Sequence, residues 1–132
     1  MSTTDYYQSQ KSVQSLIGEL VSALYLRPWI DEAEERHELK REIIRRVKAE
    51  ESDLAYILEL LTHHDWAVRD DAAEMLGWVG NKDAVKPLLA LLWKDRSKVV
   101  RGAIAMALER IGTPEGLAAH QEYEKTIRSE YA

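Results

Sequence analysis

Residues 65–80 read DWAVRDDAAEMLGWVG, and residues 97–112 read SKVVRGAIAMALERIG. Offset by 32, Val68-Arg69 falls on Val100-Arg101, Ala73 on Ala105, Leu76 on Leu108, Val79 on Ile111, Gly80 on Gly112 and, further on, Val85 on Leu117. The apolar run before each copy repeats at 31: Ile57, Leu58, Leu60 and Leu61 fall on Leu88, Leu89, Leu91 and Leu92, so one residue is inserted in the turn between paired helices. A period of this length holding two helices is the mark of an α-solenoid, whose hairpins bury their apolar stripes by stacking on one another. The punctuation agrees. Gly80-Asn81 and Gly112-Thr113 put a residue tolerant of left-handed backbone at a helix end, followed by one suited to cap the next helix, with Pro114 in the first turn after.

Outward from the repeats the chain still reads as helix. Val13, Leu16, Ile17, Leu20 and Leu24 make one stripe that ends at Arg27-Pro28. Asp31 begins a second helix, with Glu34 as in a capping box, and Leu39, Ile43, Ile44 and Val47 form its apolar side. Glu32 with Arg36 and Glu42 with Arg46 are supporting i,i+4 pairs. Ser52 and Asp65 are expected to cap the two helices of the first repeat. After Pro114, the places of Leu88, Leu89 and Leu92 are taken by His120, Gln121 and Glu124, the polar outer face a terminal repeat requires. The expectation is an all-α, right-handed α-α superhelix of about seven helices in one domain: an N-terminal pair (1–50), two repeats (51–112) and a capping helix (113–132).

Composition bounds the function. The 132 residues carry 18 Lys and Arg against 23 Asp and Glu, a net charge of −5, with no Cys. An acidic balance opposes nucleic-acid binding, which draws its affinity from a cationic stripe. Without Cys there is no thiolate zinc site and no Cys nucleophile, and no apolar run is long enough to span a membrane. The reading is a cytoplasmic protein. Charge is uneven: residues 53–80 hold six acids and one base, residues 81–112 seven bases and three acids. That asymmetry fits solvated helix faces or a bipolar field that orients a partner.

The stretch Leu60-Leu61-x3-Asp65-x2-Val68-Arg69-x2-Ala72-Ala73-x2-Leu76-Gly77-x-Val79-Gly80, followed by Ala84-Val85-x2-Leu88-Leu89-x-Leu91-Leu92, resembles HEAT repeats, particularly the short type of phycobilisome lyases. Residues 1–50 lack the motif, and the second copy has Glu109 in place of Gly77 and Ser97 in place of Asp65. The resemblance implies that the helices beginning Val-Arg line the concave side. It also implies that Asp65, Asp95, Arg69 and Arg101 tie neighbouring repeats together.

Candidate chemistry is sparse. His63-His64-Asp65 offers ligand types, but adjacent residues at a helix end point about 100° apart with no further ligand at i+3 or i+4, so Asp65 reads as a cap. His37-Glu38 resembles the motifs of HEAT-like di-iron hydroxylases, yet there is one copy, outside the repeats. No nucleophile elbow or phosphate-binding glycine loop is present. No metal, cofactor or catalytic residue is assigned.

The tryptophans carry more. Trp78 lies outside the apolar set of its helix and forms a stripe with Asp71 and Glu74; the matching stripe one repeat on is Ala103, Met106, Arg110. Trp66 and Trp93 flank turns, and Trp29, just after Pro28, is expected to plug the junction between the N-terminal pair and the repeats. The expected function is a non-catalytic scaffold that binds a protein segment on its concave face. Trp78 and Met106 would anchor that segment, Asp71 and Glu74 would select a basic group, and Arg110 an acidic one. A bilin lyase-like or phycobilisome-associated protein, an acidic inhibitor of a basic toxin and a homo-oligomeric unit stand as alternatives.

Overall fold

A computed structural model of the chain describes residues 11–26 and 33–131. Among these are seven α-helices and no strand: α1 (Val13–Leu26), α2 (Ala33–Ala49), α3 (Leu54–Leu60), α4 (Trp66–Val79), α5 (Val85–Leu92), α6 (Lys98–Ile111) and α7 (Pro114–Tyr131). Single 3-10 turns, Glu51–Asp53 and Lys82–Ala84, lead into α3 and α5. The stop at Arg27-Pro28, the Asp31 capping box, the Glu32–Arg36 pair and the place of Trp29 lie outside the described residues.

The repeat punctuation works as its residue types require. Asp65 accepts the Ala67 N–H at 2.8 Å to start α4, and Ser97 accepts that of Val100 at 3.3 Å to start α6. Both helices stop at a left-handed glycine, Gly80 with φ 73° and Gly112 with φ 79°, a conformation that a side chain would strain. Asn81 accepts the Asp83 N–H and Thr113 the Gly116 N–H, so each stop passes directly into the next start. Ser52 is a correction. It lies inside the 3-10 turn and donates to Glu50 Oε1 at 3.0 Å, while Glu50, whose side chain makes no capping bond, occupies the cap.

Two layers result. In one, α2 packs on α4 and α4 on α6; in the other, α1 meets α3 and α5 meets α7. The α4–α6 junction is the most extensive among the described helices. Gly77 sets it: a Cβ there would stand 2.9 Å from Ala107 Cα, so the missing side chain admits the neighbouring backbone. One apolar core runs from Val13 to Tyr123 through Ile43, Ile57, Leu76, Leu88 and Leu108. The N-terminal pair therefore shares the core of the repeats, and α2 takes the position in the layer that α4 and α6 take after it.

Candidate functional site

Position along α4 decides what each candidate residue faces. Its Asp71 edge turns to α2, its Asp70 and Gly77 edge to α6 and its Leu76 side to the core. Asp71 is 3% exposed, with Oδ2 2.7 Å from Arg36 Nη2 and Oδ1 3.2 Å from Lys40 Nζ. Lys40, itself 7% exposed, also donates to Glu74 Oε2 at 3.0 Å. The assignment of Asp71 to a partner's basic group is corrected by this geometry: both its oxygens are engaged by α2, and it sits too deep to meet another molecule. Glu74 shares Lys40 but keeps part of its side chain in solvent.

Trp78 is 49% exposed, which removes it from the core. The Arg110 guanidinium from α6 lies 4.2 Å from its ring centroid, a cation–π contact across the two helices. Gly77 bears on this contact by letting α6 lie close to α4, since a Cβ there would stand 2.9 Å from Ala107 Cα. Met106, one turn before Arg110, is likewise 49% exposed. The structure thus brings Glu74 and Trp78 on α4 beside Met106 and Arg110 on α6, in two parallel rows, and separates Asp71 from them.

The acids and bases named as ties between repeats divide in two. Arg69 makes a bidentate pair with Asp95, Nε to Oδ2 at 2.9 Å and Nη2 to Oδ1 at 3.2 Å, joining the start of α4 to the turn before α6. Arg69 also donates to the His63 and His64 carbonyls, and Arg101 to that of Asp95. Burial alone would raise the Asp95 carboxyl, but hydrogen bonds from Arg69 and the Ser97 N–H, with the charges of Arg69 and Arg101, bring it below the ordinary range. Asp65 caps α4 rather than pairing with a base.

His63 and His64 stack on each other at 4.3 Å, and Tyr25 Oη lies 3.2 Å from His64 Nε2. His63 Nδ1 accepts the Asp65 N–H, so that ring serves the turn. Trp93 packs its ring on Tyr123 of α7 at 5.5 Å, while Trp66 remains half exposed.

Three residues escaped sequence reasoning or were misplaced by it. Lys40 and Arg36 are basic residues one turn apart on α2, facing acids one turn apart on α4; that i,i+4 pattern was the available signal. His120, expected on the polar outer face, is the third and a correction. It faces back onto α6, with Nδ1 3.0 Å from the Ala105 carbonyl and Nε2 3.1 Å from Glu109.

A family model described as HEAT repeats matches residues 28–119, which takes in α2 as well as the two motif-bearing repeats. No curated protein and no solved structure matches the chain.

Proposed function

The chain belongs to the HEAT-repeat family, and on that premise we propose that it is a non-catalytic interaction module that takes a segment of another protein across the face formed by α4 and α6. The observation that carries this reading is Trp78, a large ring left half exposed and held in place by Arg110 on the neighbouring helix. A stacked indole loses little rotamer freedom on binding and presents a broad apolar area, the properties of a binding anchor. Met106 adds an adaptable apolar contact beside it. Glu74 and Arg110 border the patch with opposite charge, so they favour a segment whose charges run in one order. Asp71 serves this face from below by fixing α4 on α2.

The test is capture by the tagged protein from its native cell, comparing wild type with Trp78→Ala and Met106→Ala. Both variants should keep helical content and lose no more than about 1 kcal/mol of stability, the scale of an exposed cation–π contact, while the proteins that wild type retains are lost. Equal capture by all three would remove this face from the function. Collapse of folding in Trp78→Ala would make the indole structural.

A further inference from the structure

The inner layer, formed by α2, α4 and α6, ends in a gap. α4 covers α2 and α6 covers α4, but among the described helices none continues the layer past α6. The uncovered side of α6 and the facing side of α7 bound an open groove of about 550 Å³, walled chiefly by Val99, Ala103, Met106, Tyr123 and Ile127. Val99, on its rim, is 55% exposed. The floor at mid-helix is Gly102, where an added Cβ would meet nothing within 4 Å. An interior helical glycine costs about 1 kcal/mol against alanine, and here no described neighbour uses the space it leaves. One junction back, Gly77 shows the use of such a site: it lets the next inner helix lie against the backbone.

Charge at the groove is selective. Arg128 pairs with Glu124, and His120 lies against Glu109 and Glu124. Asp70 of α4, at the edge, makes no hydrogen bond or ion pair with any described residue. Burial first, then the charges of Asp71 and Glu74, raise its carboxyl above the ordinary range, outweighing the opposite pull of Lys40 and Arg36 on α2. An incoming cation would offset that. Lys98 also borders the groove, beyond ion-pair distance of Asp70 and exposed to solvent.

We propose that this groove receives an amphipathic helix of a different protein, apolar along one side and carrying a Lys or Arg that meets Asp70, lying where a further inner helix of the stack would lie. A helix in an apolar groove is a recurrent recognition mode, read through anchors three and four residues apart. A second copy of this chain fits poorly. The exposed described positions of α2 are charged almost throughout, Glu34, Glu35 and Glu38 alongside Arg41, Arg45 and Lys48, and offer no apolar stripe to fill the groove, and those of α1 are mostly polar. The groove shares only Met106 with the Trp78 patch, so the two readings can fail separately.

The probe is a displayed library of amphipathic helices as long as α6, randomised along one side and selected on the whole protein. Enriched helices should share an apolar stripe with Lys or Arg at one fixed register. Their affinity should fall at least about tenfold against Gly102→Arg or Val99→Glu, both open positions at which the fold should persist by circular dichroism. Asp70→Asn should weaken the basic helices and leave their Gln-substituted versions unchanged, and Trp78→Ala should leave all of them bound. No enrichment, enrichment without a basic preference, or equal binding to Gly102→Arg would overturn the proposal. So would a dimer of the free protein that Gly102→Arg dissolves, since the occupant would then be a second copy.

Discussion

Lys40 and Asp71 are each nearly sealed between α2 and α4, where each compensates the other's buried charge. Removing one partner of such a pair costs far more than removing a surface ion. Asp71→Ala should therefore lower the unfolding free energy by about 2–3 kcal/mol in urea titration, somewhat under the usual range because Glu74 still holds Lys40. Glu74→Ala should cost under about 1 kcal/mol. The sequence showed Asp71 and Glu74 as one stripe with Trp78, which the helical period dictates. It did not show that the stripe splits, because that depends on where α2 lies along α4, a contact between residues 31 positions apart. Asp95 gives a pH signature. Its folded carboxyl titrates below the ordinary value of about 3.9, so its stabilising effect is complete above that value and is lost as pH falls through the lowered one. Thermal melts of Asp95→Asn against wild type should differ most near neutral pH, with wild type the more stable, and converge in acid.

Two interior helical glycines distinguish a closed junction from an open one. Gly77→Ala gains helix propensity but drives a methyl to 2.9 Å from Ala107 Cα. It should destabilise by about 1–2 kcal/mol, because α4 and α6 must part. Gly102→Ala meets nothing and should stabilise by about 1 kcal/mol. Denaturant titration of the pair reads the difference directly, and equal signs would mean that α6 is not seated on Gly77. Most elements were legible from local signals: the Gly80 and Gly112 stops, the Asp65 and Ser97 starts, and the two offsets of the apolar pattern. Ser52 misled because Ser, Asp and Glu stand together in residues 50–53, and the backbone took a 3-10 turn that put the cap at Glu50. The alignment of α2 with α4 and α6 was hidden as well. Its charged exterior and missing motif conceal a helix that packs like the others through Leu39, Ile43 and Val47.

For the whole molecule, the layer of α2, α4 and α6 leaves one face open among the described residues, and the far side of α6 is covered by no described helix. The charge asymmetry along the chain is partly absorbed internally, since the acids of α4 pair with the bases of α2 and Arg69 with Asp95. In the function proposed, recognition therefore rests on shaped apolar ground with a few charges at its border, centred on Trp78. The most direct measurement places a photoreactive benzophenone side chain at position 78, at 106, and at two exposed positions on the opposite layer, 59 and 86, followed by irradiation in the native cell. Covalent adducts to a common protein should form from 78 and 106 and not from 59 or 86. Adducts from 59 and 86 alone, or equally from all four, would contradict the account.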